Sequence, residues 1–157
     1  MSVLVKATKA KEPRTRESQT MAYVYGAILV IFVVAQLFTF DKFLLLLASF
    51  NLPGGDATAY SLGGTIVVSE VFALPFLLNM SVSPLMRVVS MGLGWLVPFL
   101  WFTLAIWLNT NVSGTPSFCF LGTIANLPCG PWAILVSVAL VILATWSSYG
   151  LWPGRRK

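Results

Sequence analysis

The chain has 157 residues, of which 57% are hydrophobic and only 10% are charged, and its mean hydropathy is +0.85. A soluble domain carries roughly 25% charged residues, so this composition predicts a single membrane domain. The net charge of +5 does not indicate nucleic-acid binding, because eight of the ten basic residues lie at the two chain ends. Histidine is absent, which removes the commonest metal ligand, and we predict no metal site.

Four apolar stretches are each long enough to cross a bilayer, which takes about 20 residues of helix. They are residues 21–40, 59–80, 87–108 and 131–151. A basic tail of residues 1–20 precedes the membrane domain, residues 21–152, and a second basic tail, residues 153–157, follows it. The apolar run Phe43–Phe50 is too short to cross, and the turn-forming segment Asn51–Asp56 follows, so we expect a short interfacial or re-entrant helix there. The predicted fold is therefore all-α: a polytopic bundle of four transmembrane helices, with a short interfacial helix after the first.

The distribution of basic residues predicts the orientation of this bundle. Four spans place both chain ends and the 80–87 turn on one side, which holds nine of the ten Lys and Arg residues. The tenth, Lys42, lies on the opposite side, and Arg87 is interpreted as a topology signal. Cytoplasmic loops carry the excess of Lys and Arg, so both termini are predicted to be cytoplasmic. We expect an integral protein of the cell membrane, surrounded by lipid, with a membrane-protein partner or a second copy of the chain.

Glu70 is the one acidic residue inside the four apolar stretches. A charge at such depth costs at least about 2.5–3.5 kcal/mol on insertion scales, so it normally faces the protein interior and has a partner. The small residues Gly63 and Ala73 share its helical face, which predicts that Glu70 points into the bundle. Two interpretations are open. The carboxyl either handles protons or polarises a ligand headgroup such as that of a quinone, or it forms a structural polar contact between helices.

Lys42, at the end of the first span, is the predicted partner of Glu70. Its side chain of roughly 6 Å can extend into the membrane toward the carboxyl. The alternative is that Lys42 only marks the interface and pairs with its neighbour Asp41. We therefore treat Glu70 and Lys42 together as the candidate catalytic site.

Prolines and tryptophans occur inside the apolar stretches. Pro75 removes a hydrogen bond in the second span and predicts a kink one turn beyond Glu70, and Pro98 lies inside the third span. Three tryptophans of the third span step by six residues around the helix, and we interpret them as anchors in the lipid and at the interface: Trp95, Trp101 and Trp107.

Both cysteines, Cys119 and Cys129, lie in the long loop between the third and fourth spans. This loop is predicted to be outside the cell, where disulfides are stable. The spacing is not Cys-x-x-Cys, the pattern of low-pKa redox pairs, so a structural disulfide is favoured over a cycling catalytic pair.

Three segments resemble motifs of a known group. The first span ends in a lysine within Phe38–Phe43, and the second has a single glutamate followed by an apolar run in Ser69–Leu78. The segment Cys119–Gly122 precedes the fourth span. With these features, over roughly residues 22–150, the chain resembles the DoxX/MauE group of small four-helix membrane proteins. In the MauE branch the last segment carries two cysteines, whereas this chain has Cys119 alone there.

The resemblance implies redox-linked membrane work, either in a quinone-reducing sulfur oxidase or in disulfide maturation of exported proteins. The leading hypothesis is thus a DoxX/MauE-like protein that supports a quinone- or thiol/disulfide-linked redox process at the outer face of the membrane. Lys42 and Glu70 form its polar site, and a quinone is the possible cofactor. Two alternatives stay open: a non-catalytic accessory subunit of a larger membrane complex, and a small proton-coupled transporter.

Overall fold

The structure, a computed structural model, describes residues 15–111 and 131–151, and all its elements are α-helices. They are α1 (Arg16–Phe38), α2 (Phe40–Ala48), α3 (Gly55–Leu77), α4 (Pro84–Asn111) and α5 (Pro131–Leu151). The helices α1, α3, α4 and α5 are long and apolar enough to cross a membrane. The predicted all-α fold with four membrane spans, and a short helix after the first, is therefore confirmed.

The helix ends differ from the predicted spans: α1, α3 and α4 start earlier because hydrogen bonding continues past the apolar residues, whereas α1 and α3 also end earlier than predicted. At the start of α1, the Thr15 side chain accepts a hydrogen bond from the Ser18 backbone N–H at 3.2 Å, so the helix begins inside the predicted tail. Helix α3 begins at Gly55, four residues before its predicted span, and ends at Leu77. Helix α4 begins at Pro84, since proline suits the first position of a helix.

The four long helices form a ring in which each contacts two neighbours. α3 packs against α1 and α4, and α5 closes the ring by packing against α4 and α1. The short helix α2 lies against α3. Each long helix thus turns one face to a common core and the other away from it.

The core is apolar, and so is the outside of the bundle. In α1 the buried residues recur every three or four positions: Ala22, Tyr25, Leu29, Phe32, Val33 and Gln36. The opposite face of the same helix exposes large apolar side chains such as Ile31 and Val34. A helix that is apolar all round is typical of a membrane span, so the described part of the chain is suited to a lipid bilayer.

The chain changes direction at two places next to α2. Between α1 and α2 the backbone leaves helical geometry at Thr39, with φ −125° and ψ 36°. After α2 a turn covers residues 49–54, and Asn51 and Gly54 there have positive φ. Phe43 and Leu47 of α2 face inward and are fully buried, whereas Lys42 and Leu45 are exposed. A short helix is therefore present where the Phe43–Phe50 run predicted an interfacial or re-entrant one.

Candidate functional site

Glu70 lies inside the bundle with its side chain fully buried. Its Oε1 accepts two hydrogen bonds, from Nε2 of Gln36 in α1 at 3.3 Å and from Nε1 of Trp101 in α4 at 3.3 Å. Its Oε2 is also buried and has no hydrogen-bond partner among the described residues. One carboxyl thus connects three of the four long helices through a single oxygen.

The helical period of α3 explains why Glu70 faces inward. The buried side of this helix is a stripe at intervals of three or four residues: Ala59, Gly63, Ile66, Val67, Glu70, Ala73 and Leu77. Glu70 comes fifteen residues after Gly55 and seven before Leu77, or about 22 Å and 10 Å along the helix axis. The prediction that Glu70 points into the bundle is confirmed, and it lies closer to the Leu77 end of its helix than the predicted span implied.

The structure does not bring Lys42 to Glu70. Lys42 is exposed on α2 and forms no ion pair with the carboxyl within the described residues, so the expected bridge is absent. The reason is the break at Thr39: α2 follows it and turns the neighbouring Phe43 inward, which leaves Lys42 on the outside. Asp41 is exposed as well. The catalytic role assigned to Glu70 and Lys42 stays a prediction.

The two donors that do reach Glu70 were not among the predicted site residues. Gln36 is the only side-chain amide inside the first apolar stretch, and a polar residue at such a place is a signal for an interhelical hydrogen bond. Trp101 was interpreted as a lipid or interface anchor, and this is wrong, because only 2% of it is exposed. Its ring also contacts Phe43 of α2, with 6.4 Å between the ring centroids and an interplanar angle of 48°.

Buried hydroxyls from other helices form hydrogen bonds with the backbone near both internal prolines. Pro98 has no N–H to offer the Gly94 carbonyl, and the Tyr25 hydroxyl of α1 donates to that carbonyl at 2.7 Å. Near Pro75, the Ser90 hydroxyl of α4 accepts from the Phe76 N–H at 3.0 Å and donates to the Ala73 carbonyl at 3.2 Å. These contacts connect α1 to α4 and α3 to α4, and they fix the relative positions of the helices that hold the carboxyl.

Cys119 and Cys129 lie outside the described residues, so the predicted disulfide stays a prediction.

The chemistry of the described site therefore centres on one carboxyl. As a carboxylate, Glu70 is stabilised by two N–H donors at Oε1; as an acid, it can carry its proton on Oε2, where no donor competes. The group can exchange a proton or donate a hydrogen bond to an acceptor. No protein-family model, curated protein or solved structure matches the chain.

Proposed function

We propose that this protein is a small DoxX/MauE-like membrane protein that supports a quinone-linked redox process within the cell membrane. In this proposal both termini are cytoplasmic, and Glu70 is the group that exchanges a proton with the quinone. The observation that carries the proposal is the buried carboxyl with two N–H donors on Oε1 and no donor on Oε2.

Proton exchange suits this environment because no cation of the described helices balances the charge of Glu70. An unpaired charge in an apolar interior is very costly, so such a group is held neutral until a reaction requires otherwise. The two N–H donors lower the cost of the ionised form at the moment when the proton leaves. A buried carboxyl with one prepared oxygen and one free oxygen can therefore alternate between two protonation states.

A quinone fits the described site better than a thiol substrate does. Quinones dissolve in the bilayer, and their carbonyl oxygens accept hydrogen bonds and take up protons together with electrons. A neutral Glu70 offers the matching donor on Oε2, and the ring of Trp101, whose N–H donates to Oε1, packs against Phe43. Flat rings of this kind pack favourably against aromatic side chains.

A non-catalytic accessory subunit is the second candidate, and one observation favours it. The contacts of Gln36 and Trp101 with Glu70 tie α1, α3 and α4 together without any ligand. In this case the carboxyl stabilises the bundle, and a larger membrane complex performs the reaction. Such a protein would co-purify with other subunits in mild detergent and would bind no quinone.

A quinone titration of the purified protein distinguishes the two candidates. The measurement is the equilibrium affinity for a short-chain quinone in detergent, for the unsubstituted protein, Glu70→Leu and the control Gly64→Ala, a change at an open position. We expect Glu70→Leu to weaken binding by about tenfold, because leucine has no donor to replace the acid O–H and the loss of one good hydrogen bond to a buried polar group has that effect. Gly64→Ala should bind normally. Equal affinities for all three proteins, or no binding at all, would contradict the proposal.

A further inference from the structure

Helix α2 is bounded by non-helical backbone on both sides. At its start, Thr39 does not cap the helix with its side chain and instead donates a hydrogen bond back to the Ala35 carbonyl of α1. At its end, Gly54 and Gly55 have φ of 100° and 69°, a region that favours glycine. α2 has only nine residues, and an isolated helix of that length is marginal. Its position therefore depends on what it packs against.

The contact between α2 and α3 is close and apolar. A Cβ atom at Gly63 would lie 2.6 Å from Cδ2 of Leu44 and 3.0 Å from Cδ1 of Leu47. An alanine at this position would therefore force the Leu44 side chain to shift, or α2 to move away from α3. The neighbouring Gly64 has no atom within 4 Å of an added Cβ, so the requirement is specific to Gly63.

Two features relate the contact between α2 and α3 to the carboxyl of Glu70. Gly63 and Glu70 lie on one face of α3, seven residues or two turns apart. Phe43 of α2 is fully buried, and its ring packs against Trp101, whose N–H donates to Glu70. α2 thus covers the side of the site that faces the Gly55 end of the bundle.

A side-chain hydrogen bond connects the end of the α2 segment to a long helix. Nε1 of Trp107 in α4 donates to the Phe50 carbonyl, just after α2, at 3.2 Å. The charged residues of α2, Asp41 and Lys42, are both exposed and lie outside its buried contact with the bundle.

We propose that α2 is a lid over the Glu70 site, which opens about Thr39 and the 49–54 turn to admit an apolar, ring-bearing ligand. The inference rests on the proposed function in so far as Glu70 is the group that meets the ligand. The inner surface of the lid consists of Phe43, Leu44 and Leu47, so it presents hydrocarbon to the passing molecule. Gly63 and the Trp107 hydrogen bond keep the lid closed when no ligand is present.

Access to Glu70 can be measured with an apolar carbodiimide, dicyclohexylcarbodiimide. A protonated carboxyl adds across a C=N bond of this reagent, its proton passes to nitrogen, and no group leaves. Mass spectrometry of peptides from the full-length protein in detergent gives the rate of modification at Glu70. Glu17, exposed on α1, serves as an internal reference, and Glu70→Gln identifies the background.

A lid predicts that the variants differ in labelling rate. Gly63→Ala overpacks the closed state, so we expect Glu70 to be labelled about tenfold faster than in the unsubstituted protein. Gly64→Ala is the matched control and should keep the original rate. Trp107→Phe removes the hydrogen bond to Phe50 and should accelerate labelling by about fivefold.

Unchanged labelling in both Gly63→Ala and Trp107→Phe would overturn the lid, as would a Glu70 that is not labelled in any variant. If Gly63→Ala does not fold, Trp107→Phe decides alone. The result is independent of redox chemistry. If labelling responds as expected while Glu70→Leu binds quinone normally, the lid is supported and the proposed function is refuted. If quinone binding responds to the Glu70 substitution as expected but the labelling rate is the same in all variants, the proposed function is supported and the lid is refuted.

Discussion

Trp101→Phe tests whether the carboxyl of Glu70 is neutral. The substitution removes the N–H that donates to Oε1 at 3.3 Å and leaves an aromatic ring beside Phe43. Between neutral groups in membrane helices such a hydrogen bond contributes about 0.6 kcal/mol on average and about 1.7 kcal/mol at most. A hydrogen bond to a charged group contributes about 1.5–3 kcal/mol. An ionised Glu70 therefore predicts a larger loss in the free energy of unfolding on Trp101→Phe than a neutral Glu70 does.

The difference is isolated by making Trp101→Phe in two backgrounds, with Glu70 and with Glu70→Gln. Glutamine keeps a neutral oxygen acceptor at the same place, and the loss of indole volume is common to both backgrounds, so it cancels. A neutral Glu70 predicts that Trp101→Phe lowers the free energy of unfolding equally in both, within about 0.5 kcal/mol. The assay is reversible unfolding by denaturing detergent in mixed micelles. An extra cost above about 1.5 kcal/mol with Glu70 would show an ionised carboxylate and refute the reasoning.

Three further substitutions and one control test the surroundings of the site through the same unfolding assay. Tyr25→Phe leaves the Gly94 carbonyl without its donor, and Ser90→Ala removes a donor and an acceptor; each should lower the free energy of unfolding by about 1–3 kcal/mol. Thr103→Val is their control, because that hydroxyl is exposed and bonds within its own helix, and a similar loss there would contradict the argument. Lys42→Gln should change stability by less than about 0.5 kcal/mol, since Lys42 is exposed; a loss above about 2 kcal/mol would indicate that it pairs with a buried group.

The four spans could be predicted from sequence because a bilayer requires every backbone group to be satisfied inside a helix. Long apolar stretches therefore identify the helices, and only their ends move: α3 begins at Gly55 because helical bonding extends past the apolar residues. The inward direction of Glu70 could also be predicted, because Gly63 and Ala73 mark the tightly packed face of its helix.

The partners of Glu70 could not be predicted because they depend on how α1 and α4 are rotated. Both helices are apolar on all sides, so their hydrophobic pattern does not distinguish the inner face from the lipid face. Trp101 is buried while Trp95, six residues before it, is 39% exposed. The apolar composition of the helix does not distinguish the two tryptophans. Lys42 was assigned to the site because it is the one basic residue on its side of the predicted topology, and the break at Thr39, which leaves it outside, has no proline or glycine to mark it.

The most direct test of the central claim, that Glu70 exchanges a proton with a quinone, is an infrared difference spectrum. The protein is reconstituted in lipid with a short-chain quinone, and spectra are recorded before and after reduction of the quinone. We predict a change in the carbonyl band of a protonated carboxylic acid that is present in the unsubstituted protein and lost in Glu70→Gln. The same band change in both proteins, or none in either, would contradict the claim.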